Sequence, residues 1–180
     1  MKIWVSSLAR IHEVAKDVRP ARVVSLLSPG DEFPRIDGFD RARHHRVHLH
    51  DIREPLDGHV TPSGEHVEDL IAFLRGWRAD DPLLVHCWAG ISRSTATAFI
   101  AACLHNPDTD ELEIARTLRA ASPTAFPNTR IVAFADEILA RGGRMSAAVD
   151  AIGLGEFAEE ATPFAIPARF GGAAGSRDRI

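Results

Sequence analysis

The sequence predicts an α/β fold in three layers: a central, mostly parallel sheet of about four strands, helices on both sides, and a helical C-terminal cluster. Three observations predict it. Short apolar runs alternate with stretches of helical period over the first hundred or so residues, as expected of strands joined by helical crossovers. Beyond residue 110 the helical period continues with no strand between. One run, 83–94 (LLVHCWAGISRS), passes from an apolar strand through a tight turn into a helix, at the kind of strand end where open α/β sheets gather ligands.

The elements follow in order. Residues 2–6 read as a strand and 8–18 as a helix, with Leu8, Ile11, Val14, Ala15 and Val18 on one face and Pro20 ending it. A short apolar strand at 22–27 stops at Ser28-Pro29-Gly30, and the polar stretch 31–43, holding Pro34 and Gly38, reads as a loop. Residues 46–51 alternate, Val47 and Leu49 against His48 and His50, which predicts a strand with one polar face. A second long loop, 53–64, leads to a helix at 65–77 with Val67, Leu70, Ile71, Leu74 and Trp77 inward. Strand 83–86 and helix 92–104 bracket the turn. Two more helices are expected, 110–121 capped by Asp110 and 128–141 closed by Gly142-Gly143. Residues 1–143 are expected to form the working domain. The tail, 144–180, is rich in Ala and Gly, with a short helix expected at 145–154 and a strap or partial disorder beyond. Gly153-x-Gly155 follows no strand, so it is no nucleotide fingerprint.

At 180 residues, 45% hydrophobic and 26% charged, the chain has the composition of one soluble domain with a sizeable core. A net charge of −4 and the lack of a basic cluster argue against nucleic acid or a membrane surface as partner. No apolar run approaches membrane-spanning length, and the start, MKIWVSSLAR, lacks a signal-peptide core. Two cysteines build no disulfide framework, so a reducing cytoplasm is the expected location. Nothing in the sequence sets the oligomeric state.

The turn after strand 83–86 carries the chemistry. Its backbone N–H groups and the first N–H groups of the helix converge where the helix dipole adds positive potential, which makes an anion site. Cys87 faces that point from the strand end, and Arg93 brings a planar fork suited to two phosphate oxygens. Cysteine attacks as its thiolate, a form favoured by a helix N-terminus and adjacent cations. Cys87 is therefore the candidate nucleophile. Arg93 and the amides of Trp88, Ala89, Gly90, Ile91 and Ser92 are the candidate phosphate ligands, engaged most in the transition state. His86 could orient the loop, the Ser94 hydroxyl could donate to the sulfur, and Gly90 permits an approach that a Cβ would block. The other reading of Cys87 is a buried structural cysteine. Against it, Gly, Arg and Ser at these offsets from a given Cys arise by chance in roughly a few cases in ten thousand.

His86-Cys87-x-Ala89-Gly90-x-Ser92-Arg93-Ser94 resembles the signature of cysteine-dependent protein tyrosine phosphatases, most closely the dual-specificity branch, of bacterial type. As an order of elements, the likeness extends over roughly 1–143. It implies a phosphotyrosine phosphatase II-like fold and hydrolysis of a phosphomonoester through a phosphocysteine, with no metal or other cofactor. It also implies an Asp, on a loop roughly thirty to forty residues before the Cys, that protonates the leaving oxygen and then activates water. Asp51 lies in that window at a predicted strand end; its other reading is a residue holding the next turn. Asp57 is followed by Gly58, and its other reading is simply that turn. Asp51 is the expected general acid and Asp57 the alternative.

Ser122-Pro123…Asn128 resembles the Ser-Pro-Asn region that buttresses the phosphate loop in dual-specificity enzymes, which makes Asn128 a candidate supporting residue; its other reading is a helix N-cap. His44, His45, His48, His50, His59 and His66 match no metal-site spacing, so they are expected to be solvated or substrate-lining, with His50 placed to tune Asp51. Cys103 falls about 15 Å along the helix from Cys87, too far for a disulfide, and is expected in the core. The variable loop positions Trp88 and Ile91 carry no charge, unlike the basic loops of phosphoinositide- or triphosphate-directed relatives. A phosphorylated protein or a small phosphomonoester is the expected substrate. Two other readings stay open: an inactive phosphate-binding module, and a rhodanese-like or arsenate-reductase-like thiol enzyme.

Overall fold

The computed structural model describes residues 1–171. The chain runs β1 (Lys2–Ser7), α1 (Ile11–Val18), β2 (Arg22–Leu27), β3 (His44–His48), α2 (Gly64–Arg75), β4 (Leu83–Cys87), α3 (Arg93–His105), α4 (Glu111–Ala121), α5 (Thr129–Ile138), α6 (Arg144–Ile152) and β5 (Phe164–Pro167). The sheet order is β3-β2-β4-β1-β5. Parallel pairs join β1 to β4, β4 to β2 and β2 to β3, and β5 alone runs antiparallel, along β1.

Alternation along the central strands sorts the two faces. Ile3, Val5, Val24, Leu26, Leu83 and Val85 point into the larger core, shared with α2 to α6. Val23 and Leu84 point the other way, against Ile11, Val14 and Ala15 of α1. The expected layers are therefore present, with α1 covering one face and the other helices the opposite one. β4 is buried along its whole length, and α3 from Arg93 to Cys103 is buried on all sides. Small residues (Ala96, Ala98, Ala101 and Ala102) let this central helix approach its neighbours closely.

Four details differ from the sequence reading. The sheet has five strands rather than about four, because the tail contributes β5. Helix α1 starts at Ile11, not at 8, since the Leu8 N–H donates to the Trp88 carbonyl (3.0 Å) and is drawn out of the helix. β3 pairs from His44 to His48, opposite Val23 to Leu27. Asp51 therefore stands three residues beyond the strand, although Val47 and Leu49 face inward as the alternation requires. Helix α5 ends at Ile138, short of 141, where Ala140 turns left-handed (φ 53°).

The tail does more than strap the surface. Met145, Ala148 and Val149 of α6 join the larger core. The Arg119 guanidinium donates to the carbonyls of Ala125 (2.6 Å), Gly153 (3.1 Å) and Leu154 (2.8 Å), which sews the following segment onto the 122–128 loop. Gly155 fits there because an added Cβ would lie 2.7 Å from the Thr124 carbonyl oxygen. The rest of the tail, 172–180, lies outside the described residues.

Candidate active site

β4 ends in Cys87, whose side chain is buried at the carboxyl edge of the sheet, and residues 88–92 curl from it into α3. Gly90 has φ +76°, and a Cβ there would sit 3.1 Å from the Ser6 carbonyl carbon and the Ser7 nitrogen. Both its conformation and its closeness to β1 require glycine. The loop's carbonyls face outward. Trp88 accepts from Leu8 N–H (3.0 Å), Ala89 from Ala161 N–H (2.9 Å), Ile91 from Phe126 N–H (2.9 Å) and Ser92 from Asn128 N–H (3.3 Å). Among the described residues, the N–H groups of those four loop residues donate to none of the turn and loop acceptors, which suits them to an anion. The Ser94 hydroxyl lies 3.1 Å from Cys87 Sγ. The Trp88 side chain is 59% exposed.

Arg93 is buried, yet its guanidinium is only partly satisfied. Nη1 donates to the Leu49 carbonyl (2.8 Å) and the Ser28 hydroxyl (3.3 Å), which fixes the plane of the fork. Nε has no hydrogen-bond partner among the described residues and lies 3.8 Å from Asp51 Oδ2. A buried cationic N–H held without a partner is costly unless a ligand takes it.

Asp51 is brought to the loop. Its Oδ1 accepts from the Ser92 hydroxyl (2.7 Å) and from Asn128 Nδ2 (2.8 Å). The two readings of Asn128 are compatible, since its Oδ1 also caps α5 by accepting from the N–H groups of Arg130 (3.1 Å) and Ile131 (3.2 Å). Asp57 is not brought there. It is exposed in a turn with Gly58 at φ +76°, and among the described residues its carboxylate makes no hydrogen bond or ion pair with the loop. His50 binds the Val60 N–H (2.9 Å) rather than Asp51. A groove of about 600 Å³ opens beside Asp51 and Ser92, walled by Ile52, Pro55, Leu56 and Phe126 together with Arg53 and Glu54. Among the described residues no His, Cys, Asp or Glu cluster fits a metal ion.

One residue, Ser25, was not singled out from the sequence, and it joins His86, the candidate loop-orienting residue, to His44. His86 points away from the loop and meets Ser25 Oγ through Nε2 (2.5 Å), and the same hydroxyl meets His44 Nε2 (2.6 Å). His44, expected to be solvated, is buried. The arginine at one end selects a consistent set of protons. Arg46 Nε donates to His44 Nδ1 (3.3 Å), so that neutral ring carries its proton on Nε2 and donates to Ser25. Ser25 then donates to His86 Nε2, which leaves the His86 proton on Nδ1, 3.4 Å from the Cys87 carbonyl. Burial keeps both rings neutral, holding His44 down to about 3 and His86 to about 4, with Arg46 and Arg93 respectively adding to the effect. The signal was present in RVVSLL, where a serine interrupts an apolar strand. Cys103 is buried in α3, and burial pushes its thiol up, well away from reactivity.

Comparison with known proteins accords with this geometry. No curated protein sequence matches the chain. Among solved structures, DUSP15 superposes with a TM-score of 0.60 at 18% identity, over 88% of this chain and 94% of that one. Human DUSP28 gives a TM-score of 0.56 at 20% identity, over 77% and 88%. The PTP-2 phosphatase of Cydia pomonella gives 0.58 at 18%, over 76% and 85%. At such identities these likenesses show the fold, that of dual-specificity phosphatases. The protein-tyrosine phosphatase family model matches residues 37–140, more than half of the chain, a span that contains Asp51, the Cys87 loop, Arg93 and Asn128. The chain belongs to the protein-tyrosine phosphatase family.

Proposed function

We propose that the protein hydrolyses phosphomonoesters in two steps through a phosphocysteine on Cys87. The observation that carries this reading is the pairing of a pinned, half-satisfied Arg93 fork with a carboxylate hung beside it. A phosphate seated on the loop amides would take Arg93 Nε. The Cys87 thiolate attacks phosphorus in line; the P–S bond forms, the P–O bond to the leaving group breaks, and the leaving oxygen takes its proton from Asp51. Ser94 Oγ then donates toward the sulfur. Water, losing a proton to Asp51, attacks phosphorus, the P–S bond breaks, and inorganic phosphate leaves with the thiolate restored. Ser92 and Asn128 hold Asp51 in place for both proton transfers.

The substrate in this reading is a phosphorylated protein or small phosphomonoester. The exposed Trp88 on the loop and the Ile52, Pro55, Leu56 and Phe126 wall beside Asp51 suit an aromatic or apolar leaving group, with Arg53 and Glu54 also in the groove. Neither variable loop position adds the charge a polyphosphorylated headgroup would favour.

The test is para-nitrophenyl phosphate hydrolysis across pH, repeated with an alkyl phosphate whose leaving group needs the proton more. Cys87→Ser should abolish turnover. Asp51→Asn should lower kcat by roughly 10²–10⁴-fold, more for the alkyl ester, and remove the basic limb of the pH profile. Asp57→Asn should behave as wild type; the large loss there instead would move the acid to Asp57. Wild type that binds vanadate without turnover would make the protein a phosphate-binding module. Turnover of thiosulfate or arsenate in its place would make it another kind of thiol enzyme.

A further inference from the structure

The sheet face covered by α1 holds a second concavity, remote from the nucleophile loop in the elements that line it. It lies between α1 and the 31–43 loop and has a volume of about 570 Å³, within the range that accommodates small organic ligands. Ile36 and Phe39 give it an apolar wall, and both pack against the α1 core. Its charge is one-sided: Lys16, Arg19 and Arg43 line it against a single carboxylate, Asp37. Among the described residues none of these four belongs to an ion pair. Lys16 and Arg19 stand at the end of α1, where a cation also offsets the helix dipole. Arg43 comes from a different segment and has no such reason to converge; its guanidinium lies 4.7 Å over the Phe39 ring.

The wall of this cavity reaches the His44 end of the Ser25 chain. Phe39 meets His44 edge-on, with ring centroids 6.4 Å apart. Because the one Ser25 hydroxyl bonds both buried rings, a displaced His44 ring cannot move alone; Ser25 must follow or a buried bond breaks.

We propose that this cavity binds a small organic anion, a phosphate, sulfonate or carboxylate on a flat apolar body, and that its occupancy is felt at the Cys87 loop through His44, Ser25 and His86. The ligand's charge answers the three cations and its flat body the Phe39–Ile36 wall. Coupling of this kind is reciprocal, so an oxyanion on the loop must change the affinity of the cavity by the same factor.

Calorimetric titration with anilinonaphthalene sulfonate, an aromatic anion, tests both halves. Wild type should bind it at one site, and Lys16→Ala/Arg43→Ala should weaken binding about tenfold or more, while para-nitrophenyl phosphate turnover without the dye stays unchanged. Equal dye affinity in that double variant would overturn the site. So would loss of dye binding on adding orthovanadate with one-for-one competition, which would place the dye in the loop. Saturating orthovanadate should instead shift the dye affinity about fivefold in wild type. The shift should vanish in Ser25→Ala and persist in Ser25→Thr, which keeps the hydroxyl. No shift in wild type, or an undiminished shift in a folded Ser25→Ala, would overturn the communication. The coupling half rests on the phosphatase reading only in that orthovanadate binds the loop; if it does not, that reading fails while the dye comparison still judges the cavity.

Discussion

Asn128 performs two tasks with two different atoms, and they can be separated. Its Oδ1 caps α5 and its Nδ2 holds Asp51. Asn128→Asp keeps an acceptor for the cap, and Asp caps as well as Asn, but it replaces the donor with a charge that repels Asp51. Asn128 is fully buried, so urea unfolding should show the cost of that repulsion, about 1–3 kcal/mol, although the cap is kept, and kcat should fall by an order of magnitude or more. Asn128→Ala should lose both activity and about 1 kcal/mol of stability. Gly90 allows no such division. Gly90→Ala imposes a left-handed residue with a side chain, about 1–2 kcal/mol, and pushes against the β1 backbone. Vanadate binding, measured by calorimetry, should be lost even where the variant remains folded.

Between helices, stability at the C-terminal end turns on one buried acid. Glu111, in the first turn of α4, accepts from Arg141 Nη1 (3.2 Å) and from Arg144 Nε (3.1 Å), and Arg141 also holds the Cys103 carbonyl (2.7 Å). Arg141 is buried, so Glu111→Ala strands a charge in the core and should cost about 3–5 kcal/mol in urea unfolding. Arg144→Ala, which removes the exposed partner, should cost about 1 kcal/mol or less. This cluster was not legible in the sequence, because Glu111 and Arg141 are 30 positions apart and each alone looks like an ordinary helix-end charge. Strands β1 to β4, the helices and the Cys87 loop were legible, since periodicity and spacing are local properties. Asp51 could be read only as one of two aspartates. What holds it at the loop is a pair of donors far along the chain, Ser92 of the loop itself and Asn128, 77 residues away. β5 escaped for the same reason: FAIP looks like a tail until β1 offers it an edge.

Across the molecule, the buried histidines tie folding to pH. Both are held below their ordinary value of 6.5, His44 to about 3 and His86 to about 4, chiefly by burial. Above 6.5 neither folded nor unfolded chain binds these protons, and they do not affect the balance. Below it the unfolded chain takes up protons that the folded one refuses, so stability falls with acidity until the folded values are reached. Each histidine should remove about 1.4 kcal/mol per pH unit in that window. Urea unfolding at about pH 7.5 and 5.5 should differ by about 2–3 kcal/mol from this cause. His44→Gln should lessen the difference by roughly half, and an unaltered difference would clear these rings of responsibility.

The loop that bears Cys87 is clasped from two distant directions, by Leu8 on Trp88 and by Ala161 on Ala89. A ribosome delivers these clasps at different times. At about 5–20 residues per second, the sheet from β1 to β4 and the loop are all outside well before residue 161 is made. Until then Ala89 lacks its outer partner and β1 has a bare edge. The newborn chain is thus assembled in an order that closes the reaction site late, and a single proteolytic nick near 153–161 would return a finished molecule to that earlier stage without touching any residue that handles phosphate.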